Sequence, residues 1–323
     1  CAALFLSDTA KSGFYQRPLP RFMSQSPKHI HLIGICGTAM GSTAVALKAL
    51  GHHVSGSDDK VYPPMSDVLA NAGIPVLAGF KPENLPLNAD VYVVGNAISR
   101  GNQELETLLE KKLPYVSMAE MLKQQVIQGK RSFVVSGTHG KTTTSALTAH
   151  VLRQGGLKPS HYVGAEIPIL GSNAHWDTEG ELFVAEGDES DGTLVNFHPQ
   201  HAIVLNIEPE HLDFYDGIEA IKAVFRQLLS QTPGHWVYCA EDPVASEVCA
   251  GSHGVSYGWS REHDFSANIL TMRPDHSEFE VYQNEQLLGT ATLGIPGKHN
   301  VSNALAAIAL ATRCGVTFEA IQH

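Results

Sequence analysis

The stretch Ser136-Gly137-Thr138-His139-Gly140-Lys141-Thr142-Thr143-Thr144 limits the folds open to this chain. Gly137 and Gly140 let the backbone turn so that successive amide hydrogens point inward at phosphate oxygens. Lys141 supplies a positive charge and Thr142 a hydroxyl for Mg2+, so ATP with Mg2+ is the expected ligand. Such a loop needs a buried strand before it and a helix after it. Arg131-Ser132-Phe133-Val134-Val135 reads as the strand, and Ser145 to Leu152 carries apolar residues at helical spacing. The loop is a shortened variant, because only Thr138 and His139 stand between Gly137 and Gly140, where the usual pattern has four residues between the first Gly and the Gly-Lys pair.

Upstream, His29-Ile30-His31-Leu32-Ile33 reads as a strand running into Gly34-Ile35-Cys36-Gly37-Thr38-Ala39-Met40-Gly41 and then a helix from Ser42 to Leu50. A second strand, His53 to Ser57, ends in Asp58, placed where a carboxylate commonly meets a ribose hydroxyl. The glycines depart from the dinucleotide fingerprint, falling at Gly34, Gly37 and Gly41. Helices Asp67–Ala72 and Gln103–Lys111 then alternate with strands Pro75–Ala78, Asp90–Val94 and Tyr115–Val116, which predicts a parallel sheet. The loops Tyr62–Ser66 and Gly95–Asn102, the second containing Asn96, fall at carboxyl ends of strands, where open α/β sheets bind ligands.

Met118 to Gln128 reads as a helical linker. Beyond the phosphate loop, strand Glu181–Ala185 delivers Glu186-Gly187-Asp188-Glu189-Ser190-Asp191, and strand His201–Ile207 delivers Glu208-Pro209-Glu210-His211-Leu212-Asp213. An acidic cluster leaving a buried strand beside a phosphate loop suits Mg2+, which takes few carboxylates plus phosphates; Glu186, nearest the strand, is the first choice. His211 is placed to contact a second ion or a phosphate. Helix Gly217–Ser230 and strand Trp236–Cys239 follow, and Glu241-Asp242-Pro243 reads as a turn. From Asp264 to Gly294 the period changes to two, with strands Glu278–Tyr282 and Leu287–Leu293 around the turn Gln283-Asn284-Glu285, an antiparallel hairpin appended to the α/β domain. Pro296-Gly297-Lys298-His299-Asn300 then opens a helix from Val301 to Cys314, with Asn303 one turn after His299.

The fold expected is therefore α/β: a Rossmann-like parallel-sheet domain over residues 27–126, then a phosphate-loop ATPase domain over 127–323. With 323 residues there is length for two cores. A net charge of −11 without a basic run disfavours a nucleic-acid surface. Five scattered cysteines without metal-ligand spacing point to a reducing compartment, no secretory signal is evident, and no apolar run reaches the ~20 residues of a membrane span. A cytoplasmic location and no disulfide are expected. The chain opens on Cys1, and residues 1–26, with Met23 a candidate start, read as a tail or non-native remnant.

Four stretches in order resemble the ATPase-domain motifs of the Mur ligases of bacterial cell-wall synthesis: Gly137 to Thr143, Glu186 to Asp191, Asn206 to Asp213, and Gly297-Lys298-His299-Asn300-Val301-Ser302-Asn303. The resemblance runs from about Lys28 to the end of the chain. Within the family, Gly34 to Gly41, Val61 to Ser66 and Asn96 to Asn102 look like the murein peptide ligases, which attach L-Ala-γ-D-Glu-meso-diaminopimelate to UDP-N-acetylmuramate in peptidoglycan recycling. Glu189-Ser190-Asp191 and the residues to Phe197 look more like the UDP-N-acetylmuramate L-alanine ligases, since the recycling enzymes typically carry Tyr at the Ser190 position. The resemblance implies a third, amine-binding domain after the point where this chain stops, and the chain reads as a fragment. It also implies a lysine carbamylated in some members; Lys222 is near in sequence but reads as a solvated helix residue.

The reaction implied is ATP-driven amide formation through an acyl phosphate on the lactyl carboxylate, which the amine then displaces with release of ADP and phosphate. By this resemblance Lys141, Glu186 and His211 are catalytic, and Thr142, Glu186 and His211 hold metal. Gly137, Thr138, His139, Gly140, Lys141, Thr142, Thr143, His299, Asn300 and Asn303 bind ATP, and Gly34, Gly37, Thr38, Met40, Asp58 and Asn96 hold the UDP-sugar. A sensor that binds UDP-muramyl ligands and ATP without ligation is the alternative of another class, and the acidic cluster with His211 argues against it. Ligases extending folate with glutamate are disfavoured by the Gly34 to Asp58 domain.

Overall fold

The computed structural model describes residues 27–322, apart from 96, 122–129, 166, 172, 178, 191, 192, 213 and 252. The expected tail, most of the expected linker and Asn96 lie outside the described residues. The chain divides into two compact units, one ending at Gln128 and the other beginning at Gly129.

In the first unit, β1 (His29–Ile33), β2 (His53–Asp58), β3 (Val76–Ala78), β4 (Val91–Val94) and β5 (Tyr115–Ser117) form one parallel sheet in the order β3-β2-β1-β4-β5. Ile30, Leu32 and Ile33 of β1 and all of β4 are buried, as expected for strands covered on both faces. The order reverses between β1 and β4, so the Gly34 turn leaves the sheet at its switch point. Helix α1 (Thr38–Ala49) begins earlier than Ser42. Gly37 is its N-cap and accepts from the Gly41 amide at 2.8 Å, so the first-turn amides of Thr38 to Met40 face out of the helix end. Helices α2 (Met65–Asn71), α3 (Gln103–Glu110) and the short α4 (Met118–Met121) complete the unit. Glu104 on α3 is fully buried; the Ser57 hydroxyl donates to it at 2.5 Å and the Lys81 amide at 3.1 Å. Its burial pushes the carboxyl pKa up against the pull of those hydrogen bonds.

The second unit is built on a ten-stranded sheet. Its strands are β6 (Arg131–Ser136), β7 (Pro159–Tyr162), β8 (Ala174–His175), β9 (Leu182–Glu186), β10 (His201–Val204), β11 (Trp236–Cys239), β12 (Gly254–Gly258), β13 (Phe265–Met272), β14 (Ser277–Gln283) and β15 (Gln286–Leu293). The order β15-β14-β13-β12-β11-β10-β6-β9-β7-β8 places the strand of the phosphate loop between those that deliver the two acidic stretches. Helix α5 (Lys141–Gln154) follows the loop. Then come α6 (Ile218–Ser230), α7 (Pro243–Cys249), α8 (Lys298–Arg313) and α9 (Phe318–Ile321). Val301 and Ala304 to Ala311 of α8 are buried in one core with Phe133, Val135 and the inner face of α5.

The sheet bears out one expectation and corrects others. The expected antiparallel hairpin is present as β14 and β15, and β13 joins it to the main sheet: Phe265 and Ser266 pair in parallel with Tyr257 and Gly258, and Phe279, Val281 and Ala291 enter the same core. The expected turn at Glu241 runs directly into a helix that was not expected, with the Asp242 carboxylate accepting from the Ala245 amide at 2.7 Å and Pro243 in the first turn. Strand β10 stops at Val204, because Asn206 leaves the sheet to hold the phosphate loop. Strands β7, β8, β12 and β13 were not expected. The four described cysteines are free thiols, and no helix among the described residues is long and apolar enough to cross a membrane.

Candidate functional site

The phosphate loop leaves β6 after five buried residues and enters α5 at Lys141. Gly137 has φ +136°, and a Cβ there would lie 3.0 Å from the Asn206 backbone. Gly140 has φ +86°, and a Cβ there would lie 2.8 Å from Asn303 Oδ1. Both glycines are required by conformation and by close approach. Asn206 clamps the loop: its Oδ1 accepts from the His139 amide at 2.7 Å, its Nδ2 donates to the His139 carbonyl at 3.1 Å, and its carbonyl accepts from the Thr138 amide at 3.1 Å. The Glu208 amide donates to Thr138 Oγ1 at 3.0 Å, stitching the β10 loop to the same place.

Thr138 to Thr143, with Glu186, line an open cleft of about 300 Å³. Lys141 Nζ donates to the Gly137 carbonyl at 2.7 Å, to the Thr138 carbonyl at 3.2 Å and to both oxygens of Glu189, the closer at 3.0 Å. Thr142 Oγ1 donates to Glu186 Oε2 at 2.9 Å, which also accepts from the Gly164 amide at 2.8 Å. Burial and then the Glu186 charge push the Tyr162 phenol well up, leaving it neutral beside that carboxylate.

Sequence reading singled out Glu186 from its cluster and passed over Glu189. Yet Glu189 is almost completely buried, its carbonyl accepts from the Tyr215 hydroxyl, and His211 Nε2 stands 3.8 Å from its Oε1. Among the described residues the carboxylates within 4.0 Å of His211 are Glu189 and Glu210, not Glu186. The signal available was the spacing: Glu189 lies three residues beyond a strand end, far enough for its chain to turn back under the loop. Asn206 was also passed over, and the mark it left was an amide directly after an apolar strand.

Of the three residues expected at α8, Asn303 touches the phosphate loop at Gly140. Asn300 Nδ2 donates to the Pro296 carbonyl at 2.6 Å, and His299 is exposed beside Gly297. Lys222 is corrected: its side chain is 11% exposed and its ammonium lies 2.9 Å from Glu219 and 2.8 Å from Glu247. Those carboxylates hold its pKa above the usual lysine value. It is a structural tie between α6 and α7.

In the first unit, the amides of Gly34 and Ile35 both donate to the Ser57 carbonyl, at 2.8 and 3.1 Å, with Gly34 at φ +86°. Asp58 Oδ2 accepts from the Cys36 amide at 2.8 Å and Oδ1 from the Lys60 amide at 2.9 Å, so the carboxylate braces the turn. Gly37 and Thr38 are exposed at the start of α1, whereas Met40 is buried beneath Gly95.

Two family models match the chain: "Mur ligase family, catalytic domain" over residues 29–129 and "Mur ligase middle domain" over residues 135–311. A UDP-N-acetylmuramate–L-alanine ligase of Syntrophus aciditrophicus is 38% identical over 305 residues, covering 93% of this chain and 63% of that protein. Another, of Desulfosudis oleivorans, is 38% identical over 299 residues, covering 91% and 65%. The chain thus spans under two thirds of the length of these curated relatives. Among solved structures, the UDP-N-acetylmuramate:L-alanyl-γ-D-glutamyl-meso-diaminopimelate ligase from Neisseria meningitides superposes with TM-score 0.84 at 32% identity, covering 92% of this chain and 97% of that one. The UDP-N-acetylmuramate-alanine ligase from Thermotoga maritima gives TM-score 0.81 at 26% identity, covering 91% and 67%. Matched across both units, with its phosphate loop and acidic strand ends on one sheet and the Asn303 helix packed in the same core, the chain belongs to the Mur ligase family.

Proposed function

We propose that this chain carries the nucleotide and UDP-sugar sites of an ATP-dependent ligase that activates the lactyl carboxylate of UDP-N-acetylmuramate and joins it to an amine. The observation that carries the reading is the pairing on the loop itself: Lys141 against the buried Glu189, and Thr142 against Glu186, with Lys141, Thr142 and Glu186 lining one cleft. Phosphoryl transfer asks mainly for positioning and charge neutralisation. Lys141 would bind the β and γ phosphates, and the amides of Gly140 to Thr143 would face the same oxygens from the start of α5. The donor set fits Mg2+, since a hydroxyl and a carboxylate already within 2.9 Å leave room for water and phosphate oxygens. Thr142 and Glu186 would hold one ion and His211, with Glu189 beside it, a second; bound Mg2+ supplies charge stabilisation to the transferring phosphoryl group. Asn303 would orient the nucleotide from α8, with His299 and Asn300 towards adenine. The turn of Gly34, Gly37 and Thr38, the last two exposed, would take the UDP diphosphate, braced by Asp58 with Met40 packed beneath, and Asn96 would contact the UDP-sugar.

Two acceptor amines are supported. The tripeptide L-Ala-γ-D-Glu-meso-diaminopimelate is favoured by the structural likeness to the Neisseria ligase, and L-alanine by the names of the curated relatives. Phosphate release by the full-length protein with UDP-N-acetylmuramate and each amine in turn decides between them. Lys141→Ala in the full-length protein is expected to abolish ADP formation while leaving UDP-sugar binding within about twofold. Unchanged ADP release would sink the proposal, and nucleotide binding without ADP release under either amine would favour a non-ligating sensor.

A further inference from the structure

Beside the loop stands a group of side chains that the ligase reading does not use as a set. His139, Glu208 and Glu210 each offer one ligand atom, and these atoms all lie within 4.8 Å of one another. His139 Nε2 is 3.9 Å from Glu208 Oε2 and 3.8 Å from Glu210 Oε1. Among the described residues neither carboxylate has a Lys or Arg within 4.0 Å, so two negative groups converge on an imidazole without a cation. The backbones carrying them are fixed to one another, through the Asn206 clamp on His139 and the Glu208 amide on Thr138 Oγ1. The other oxygen of Glu210 is 4.0 Å from His211 Nε2, so this carboxylate stands between two imidazoles.

We propose that His139, Glu208 and Glu210 form a binding site for a divalent first-row transition ion, with Zn2+ the best fit. One nitrogen and two carboxylate oxygens with further positions left for water is a donor set that suits Zn2+, Co2+ or Mn2+. Mg2+ dehydrates reluctantly and prefers oxygen ligands in near-ideal octahedral geometry, so without a nucleotide's phosphate oxygens to complete its shell it is a poorer match to this site. Metal–ligand bonds of about 2.0–2.2 Å put tetrahedral donors about 3.4 Å apart. Ligand atoms that lie within 4.8 Å of one another need to close by about 1.4 Å at most to reach that spacing. This ion is distinct from those proposed at Thr142 and Glu186 or at His211, and its binding needs neither nucleotide nor UDP-sugar. Once bound, it adds positive charge at the rim of the phosphate loop and ties Glu210 away from His211.

The test is Zn2+ and Co2+ binding to the whole chain without nucleotide, in millimolar Mg2+, by competition with a chromophoric chelator and by the visible bands of bound Co2+. Glu208→Gln and His139→Gln are expected each to weaken Zn2+ at least tenfold and to dim the Co2+ bands. All three side chains are exposed, at 63%, 48% and 46%, so these variants should keep the parent's tryptophan fluorescence and unfolding midpoint. His211→Asn should leave Zn2+ affinity within about twofold. The proposal is overturned if affinity is unchanged in both Glu208→Gln and His139→Gln, or if it is lost only in His211→Asn, which would put the ion on the Glu189 and His211 pair. ADP formation by the parent chain is a separate measurement, so a failed ligase reading leaves this result interpretable.

Discussion

Gly140→Ala separates two ways in which the phosphate loop depends on glycine. At φ +86° an Ala sits in the left-handed region, costing about 1–2 kcal/mol, of which about 0.4–1 kcal/mol returns through the stiffer unfolded chain. The new Cβ would also lie 2.8 Å from Asn303 Oδ1, closer than such atoms come, so the amide must rotate out of its well at about 0.5–1.5 kcal/mol. The sum is about 2 kcal/mol. In an Asn303→Ala background the backbone cost of about 1 kcal/mol remains, and a Leu205 methyl 3.3 Å from the new Cβ is common to both backgrounds. Urea unfolding followed by tryptophan fluorescence reads the second unit alone, because Trp176, Trp236 and Trp259 all lie in it. A coupling of about 1 kcal/mol between the two sites is expected. If Gly140→Ala costs the same in both backgrounds within about 0.3 kcal/mol, the contact between α8 and the loop is not what selects glycine there.

Buried titratable groups give each unit its own pH response. Glu104 has a raised folded-state pKa, so its contribution is fully present below its ordinary 4.5 and is lost as pH rises through the folded value. Glu104→Gln should flatten that decline, read by hydrogen exchange of β1 and β2 amides between acid and neutral pH. An unchanged slope would refute the assignment. His201, stacked on Phe133, is pushed from 6.5 down to about 4 by burial and by His235. The unfolded chain binds the proton more readily, so stability should fall as pH drops from 6.5 towards 4, and His201→Gln should reduce the fall seen by tryptophan fluorescence.

Long-period signals in the sequence carried the fold, and local polar geometry carried the rest. Both parallel cores were legible because β1, β4, β6, β9 and β10 are short apolar runs ending in Gly, Glu or Asn. Strands β7 and β12 were not, since Pro159-Ser160-His161-Tyr162 and Gly254-Val255-Ser256-Tyr257-Gly258 carry polar or glycine residues that only burial against α5 and α8 makes strand-like. Helix starts were placed late at Ser42 and Ser145, because the first turn of a phosphate-binding helix is polar and looks like loop. The loop, Glu186 and the Asn303 helix were readable from spacing. That Glu189, and not Glu186, meets Lys141 depends on how a four-residue turn folds back, which periodicity does not encode.

The pairing of Lys141 with Glu189 has a consequence for how an anion enters the cleft. Two like charges 4 Å apart in an effective dielectric of 20 repel by about 4 kcal/mol. Glu189 lies 3.0 Å from Lys141, which lines the cleft, and Glu186 holds the Thr142 hydroxyl, so a bare triphosphate must displace carboxylates from both groups it would use. A divalent ion arriving with the nucleotide turns the same carboxylates from repulsive to attractive. Glu189→Gln removes one negative charge but keeps an acceptor for the lysine, which also retains two carbonyls. Metal-free ATP should therefore bind this variant more tightly than the parent, by about tenfold if roughly a third of the repulsion survives solvent screening. The gain from adding Mg2+ should shrink correspondingly. Calorimetric titration with and without Mg2+ measures both. Weaker binding of metal-free ATP to Glu189→Gln would mean that the carboxylate organises Lys141 for phosphate rather than competing with it.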